Sequence, residues 1–164
     1  MTEAEFLPLF DRYHNMVYRM ALTATRSRQD AEDIVQTVFL KLLSTNETTR
    51  PQPDCERAWL VRVTINACRD LTRFLLRQKT EPLDESIPFS TPEERGLFDA
   101  VLTLPTKYRV TVHLHYYEGY TLAEIGELLH ISPSAVSMRL HRARQLLRSK
   151  LKEEEYEPPV SEHI

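Results

Sequence analysis

Apolar residues recur at helical spacing along almost the whole chain, and the pattern stops only where prolines cluster. From Glu3 to about Thr25 the apolar positions are Phe6, Leu9, Phe10, Tyr13, Val17, Met20, Ala21 and Ala24. Ala31, Ile34, Val35, Val38, Phe39, Leu42 and Leu43 then follow the i, i+3, i+4, i+7 template of a second helix. Ser27 is its expected N-cap. Asp30, Glu32 and Asp33 stand in its early turns, where the helix dipole favours carboxylates. A loop is expected from about Ser44 to Asp54, because Ser44-Thr45-Asn46, Pro51 and Pro53 break the period. A third helix, about Glu56 to Gln78, carries Leu60, Val61, Ile65, Cys68, Leu71 and Leu75 on one side.

Residues 80–91 contain Pro82 and Pro88 without periodicity and read as a flexible linker. Thr91-Pro92-Glu93-Glu94 then opens a helix with a cap, a first-position proline and two acids. Helices are expected at about Pro92–Leu102, Pro105–Tyr117, Leu122–Leu129 and Pro133–Leu151, followed by an acidic tail over 153–164. The predicted fold class is all-α: two small helical modules, residues 1–79 and 92–152, joined by the linker. With only 3 glycines against 10 prolines, turn-dense β folds and Gly-rich phosphate loops are both excluded. Cys55 and Cys68 are too few for a disulfide framework and lack the spacing of a zinc site. No run of apolar residues is long enough for a membrane span, and Met1-Thr2-Glu3-Ala4-Glu5 is acidic where a signal peptide is basic. The expected location is the cytoplasm.

A net charge of −3 conceals two basic blocks. Arg57, Arg62, Arg69, Arg73, Arg77 and Lys79 face only Asp70 in their stretch. Arg139, Arg142, Arg144, Arg148, Lys150 and Lys152 face no acid at all. Between them Glu81, Asp84, Glu85, Glu93, Glu94 and Asp99 oppose a single Arg95. Two basic blocks separated by an acidic connector suit a polyanion bound at two places.

The most specific local pattern runs from Thr121 to Val136. Two helices that cross closely need a small residue, which Gly126 supplies, and apolar anchors, which Ile125, Leu129, Ile131 and Val136 supply. Ser132-Pro133 opens the second helix with a cap and a first-position proline. In projection Val136, Leu140, Ala143 and Leu147 face inward, leaving Ser134, Ser137, Met138, His141, Arg142 and Gln145 outward, as a groove-reading helix requires. His130 falls at the turn, where a left-handed backbone is expected and histidine adopts one at some strain.

Three stretches in this order resemble the extracytoplasmic-function (ECF) sigma factors of bacterial RNA polymerase, in the sigma-70 superfamily. Asp30-Ala31-Glu32-Asp33-Ile34-Val35-Gln36-Thr37-Val38-Phe39 resembles the family's polymerase-binding helix. Ala58-Trp59-Leu60-Val61-Arg62-Val63-Thr64-Ile65-Asn66 resembles the segment that melts and reads the −10 element. The helix-turn-helix ending Ser137-Met138-Arg139-Leu140-His141-Arg142-Ala143-Arg144 resembles the −35 reader. The resemblance implies a sigma factor that directs promoter-specific initiation. It assigns Asp30, Glu32, Asp33, Gln36 and Phe39 to polymerase binding, and Arg62, Asn66, Arg69, Asp70, Arg73 and Arg77 to −10 DNA. Ser134, Ser137, Met138, His141, Arg142, Arg144 and Arg148 go to −35 DNA. The implied partners are core polymerase, promoter DNA and an anti-sigma factor, with no cofactor, metal, catalytic residue or small-molecule substrate. The chain departs from the family pattern in Thr25-Arg26-Ser27-Arg28, which replaces a Gly-Asp turn. It departs also at His130 and at Gly126, where the family has alanine; the Gly126 difference is expected to be harmless.

Two other functions fit the sequence less well. An enzyme would draw on the histidines, but His113 and His115 project to nearly opposite sides of a helix and no His-Glu-x-x-His occurs. A free-standing repressor would use the helix-turn-helix and leave the Asp30–Phe39 helix without a purpose.

Overall fold

The structure is a computed structural model that describes the backbone of residues 1–78 and 98–155 and the side chains of 1–73 and 98–150. The linker, the Thr91-Pro92-Glu93-Glu94 start, the Arg77 side chain and the tail beyond residue 155 lie outside the described residues. Contacts divide the chain into two units, Met1–Ile87 and Pro88–Ile164. Among the described residues there is helix and no strand.

Three helices build the first unit: α1 (Glu3–Thr25), α2 (Arg28–Leu43) and α3 (Glu56–Gln78), the last preceded by a 3₁₀ turn at Pro53–Cys55. Each packs on the other two. The core joins Val17, Met20 and Ala21 of α1 to Ala31, Ile34, Val38 and Leu42 of α2 and to Leu60, Val61, Thr64 and Ile65 of α3. Where α1 crosses α2, Phe39 meets the edges of Phe6 and Phe10 at ring separations of 6.0 and 4.8 Å. His14 closes this cluster 4.7 Å from Phe10. The expected helix limits agree closely, with one correction on the apolar stripe: Leu43 is exposed and takes no part in the core.

The α1–α2 turn keeps a left-handed residue without a glycine. Arg26 adopts φ 58°, and its N–H reaches the Leu22 carbonyl at 2.8 Å. Thr25 donates its hydroxyl to the Ala21 carbonyl and accepts from the Ser27 N–H, which braces the turn from the side. Ser27 caps α2 as expected, accepting the Asp30 N–H. In the loop after α2, the Asn46 Oδ1 accepts from the backbone N–H and the hydroxyl of both Thr48 and Thr49.

That loop is tied to the start of α1. The Glu5 carboxylate accepts the Thr2 N–H and the Arg50 guanidinium, each at 2.8 Å. The Thr2 amide first and Arg50 second pull the Glu5 carboxyl down from 4.5 to about 2. Glu5 therefore titrates lower in the folded chain than in the unfolded one. Its stabilisation is complete above pH 4.5 and is lost as pH falls through 2. Thermal melts of wild type and Glu5→Gln are expected to differ at neutral pH and to converge at the acid end of that window.

The described part of the second unit opens with a helical stretch, residues 98–102 (α4), followed by α5 (Thr106–Val112), a π turn (His113–Tyr117), α6 (Leu122–Leu129) and α7 (Pro133–Glu155). The single expected helix Pro105–Tyr117 is thus α-helical only to Val112. Its end widens, with the Glu118 N–H bonding the His113 carbonyl five residues back. At the other end α7 runs past Leu151 into the first acids of the expected tail. Leu104, Val112, Leu114, Ile125, Val136, Leu140 and Ala143 form the core, with Arg109 buried among them donating to the Leu104 carbonyl at 2.8 Å.

Gly126 is where α6 meets α7, and in this chain the close approach there leaves no room for a side chain. A Cβ at Gly126 would stand 2.7 Å from the Ile131 carbonyl oxygen, a backbone atom that cannot swing away. Gly126→Ala is expected to destabilise the second unit by about 1–3 kcal/mol, read as a lower melting temperature by circular dichroism.

Candidate functional site

Among the described residues α2, α3 and α7 each expose a polar face, and the residues behind it explain why that face is presented. On α2 the buried row Ala31, Ile34, Val35, Val38, Phe39 and Leu42 leaves Glu32, Asp33, Gln36 and Thr37 outward. Glu32 is paired with Arg28 at 3.3 Å, and Asp30 is partly covered beneath the Ser27 cap. Phe39, assigned to this surface from the sequence, is 3% exposed. Its ring belongs to the aromatic cluster with α1, so it holds the face in place rather than forming part of it. Leu40 is the opposite case, 63% exposed beside Gln36 and Thr37. An apolar residue off the core stripe was the signal for it in the sequence.

On α3 the basic stripe lies opposite the core, as its spacing requires. Arg62, Asn66, Asp70 and Arg73 are exposed and Arg69 half-buried. Trp59 is half-buried at the start of the same helix. This ribbon presents cationic groups and one amide along a single helix face.

The helix-turn-helix of the second unit is built from local bonds. Thr121 and Glu124 form a reciprocal capping box at the start of α6, a pattern the sequence carries as Thr-x-x-Glu. His130 ends α6 in the left-handed conformation at φ 57°, its N–H on the Gly126 carbonyl. Ser132 accepts the Ala135 N–H and so caps α7. Val136, Leu140 and Ala143 are buried and Leu147 half-buried, which turns Ser134, Ser137, Met138, His141, Arg142, Gln145 and Arg148 outward.

Two tyrosines outside the motif lie near arginines of α7, and sequence periodicity carries no sign of either. The nearby Arg142 guanidinium holds the Tyr108 phenol on α5 below the ordinary range. Tyr116 in the π turn accepts from Arg144 Nε at 2.7 Å. Among the described residues the histidines do not gather. His113 is buried against Glu118 at 3.2 Å, whereas His115 meets the Tyr120 carbonyl. Among the described residues no group of histidine, cysteine or carboxylate side chains could hold a metal ion, and no helix is long and apolar enough to cross a membrane.

Residues 9–79 match the family described as Sigma-70 region 2, and residues 95–147 match Sigma-70, region 4. The chain is 32% identical over 146 residues to RNA polymerase sigma factor SigV of Bacillus subtilis, covering 84% of this chain and 86% of that one. It is 31% identical over 155 residues to ECF RNA polymerase sigma factor SigL of Mycobacterium tuberculosis, covering 88% of each. This chain belongs to the ECF sigma factors of the sigma-70 family. The sigma factor also resembles CarQ of Myxococcus xanthus, at 32% identity over 161 residues, covering 93% of this chain and 92% of that one. Among solved structures its fold matches RpoE in complex with the anti-sigma factor NepR from Bartonella quintana. That match has a TM-score of 0.75 at 17% identity, over 90% of this chain and 97% of that one. It matches CnrH in complex with the cytosolic domain of CnrY with a TM-score of 0.61 at 26% identity, over 93% and 90%. As a sigma factor it is a non-catalytic factor for promoter-specific transcription initiation.

Proposed function

We propose that the exposed face of α2 docks on core RNA polymerase, α3 meets the −10 element, and α7 reads the −35 element. The polymerase contacts are Glu32, Asp33, Gln36 and Leu40, with Asp30 at their edge. Arg62, Asn66, Arg69, Asp70, Arg73 and Arg77 form the −10 surface. Ser134, Ser137, Met138, His141, Arg142, Arg144 and Arg148 form the −35 surface. The modules run over 1–79 and 92–152, separated by the linker 80–91. The observation that carries this reading is the outward row of α7 behind a correctly capped helix-turn-helix, in a different unit from the α3 stripe. Neither DNA surface is large, and the net charge is −3, so duplex affinity arises when polymerase fixes both modules and raises their effective concentration.

CnrH was solved with the cytosolic domain of a second protein. A protein regulator of that kind, an anti-sigma factor, is the further partner we assign, in the cytoplasm where core polymerase acts. The test is transcription with core polymerase on a promoter library randomised at both elements. Transcripts should select a two-part consensus, with no tight duplex binding by the chain alone. Sequence-specific duplex binding at nanomolar concentration without core would instead show that the DNA surfaces act without polymerase and overturn the two-module reading.

A further inference from the structure

The −35 assignments stop at the helix-turn-helix, but Tyr116 lies before it and grips Arg144 from outside. The residue one turn before Arg144 on α7 is Leu140, which is buried. Arg144 therefore emerges at the margin of the packed face. Arg142, by contrast, follows exposed Met138 by one turn and stands within the groove-facing surface. A helix lying in a major groove has bases beneath its outward face and phosphate backbone along its margins.

At that margin Arg144 donates its Nε–H to the Tyr116 hydroxyl at 2.7 Å, with its guanidinium carbon 5.7 Å from the ring centroid. An arginine fixed through Nε keeps its four terminal N–H groups free in one plane, the fork that suits phosphate oxygens. Among the described residues no carboxylate pairs with Arg144, so its charge is not offset locally. Tyr116 is itself 54% exposed yet braced. Its ring stands edge-on to His115 at 4.8 Å, and His115 is bonded to the Tyr120 carbonyl at 3.0 Å. The π turn at His113–Tyr117 sets this geometry, since it changes the direction of these side chains relative to α5.

We propose that Tyr116 is a positioning residue for DNA, holding Arg144 ready to grip a backbone phosphate beside the −35 element. The inference rests on the −35 reading of α7. A free arginine loses rotamer freedom on binding; one already held by Tyr116 has lost much of it beforehand, so affinity rises without any gain in base preference.

The experiment uses holoenzyme assembled from core polymerase and the full chain, with Tyr116→Phe, Arg144→Ala and the double variant. Promoter affinity is measured on a −35 substitution series at several salt concentrations, and melting temperatures are recorded for each variant. Tyr116→Phe keeps the ring and removes only the acceptor. It should fold like wild type and lose about three- to tenfold in affinity, equally on every −35 sequence. Arg144→Ala should also lower the salt slope by about one, and adding Tyr116→Phe to it should change nothing more. Wild-type affinity in Tyr116→Phe overturns the proposal, as does a loss that persists in the Arg144→Ala background or falls on particular bases. If wild-type holoenzyme ignores the −35 sequence altogether, the −35 reading itself fails and takes this proposal with it. That result is distinct from a failure confined to Tyr116.

Discussion

Replacing Arg142 by alanine is expected to reduce transcription and, in the same variant, to relax base preference at one or two −35 positions. The expectation follows from where the side chain is held. Arg142 is exposed one turn beyond Met138 and beside His141, on the part of α7 that a helix-turn-helix places in the groove. The planar N–H groups of its guanidinium suit the O6 and N7 acceptors of a guanine. Such a paired contact is worth on the order of 1–3 kcal/mol of discrimination against the wrong base. Arg148→Ala is the control, because Arg148 lies further along the helix where it leaves the groove. That substitution should weaken binding about equally on all sequences and flatten the salt dependence by roughly one contact. The measurement is transcription from a −35 substitution series at two salt concentrations. Unchanged base preference in Arg142→Ala would remove the reading role from that residue.

Most of the fold was legible because the core is built from periodic apolar rows and the breaks carry proline. The row from Ala31 to Leu42 and the row from Leu60 to Cys68 are buried where the 3.6-residue period puts them. Caps were legible for the same local reason: Ser27 and Ser132 bond the amides three residues ahead. What periodicity could not show depended on neighbours distant in sequence. Phe39 looked like part of a surface because its stretch resembles a binding helix, but the aromatic rings of α1 close over it. The room for a methyl at Gly126 depends on the Ile131 carbonyl across the turn. The π turn at His113–Tyr117 retains helical spacing in the sequence while its hydrogen bonds shift by one residue, so the Tyr116–Arg144 contact had no one-dimensional trace.

The polymerase-facing helix gives the other large effect, and here burial separates holding from touching. Asp33 and Gln36 are exposed, and neither side chain makes a hydrogen bond among the described residues. Their joint replacement by alanine should therefore leave the melting temperature within a few degrees. Core binding should nonetheless fall by about tenfold or more, since a protein interface concentrates its energy in a few residues at its centre. Leu40→Ala should follow the same pattern. Its side chain is largely in water in the free protein, so folding loses little, whereas docking would remove that apolar surface from water. Phe39→Ala should behave in the opposite way. It empties a buried aromatic site and should cost about 3–5 kcal/mol of stability, with core binding lost only to the extent that the unit unfolds. Paired measurements of core affinity and melting temperature on these variants distinguish the two roles. If the Asp33 and Gln36 double variant unfolds along with Phe39→Ala, the α2 face is structural and the polymerase contact must lie elsewhere on the unit.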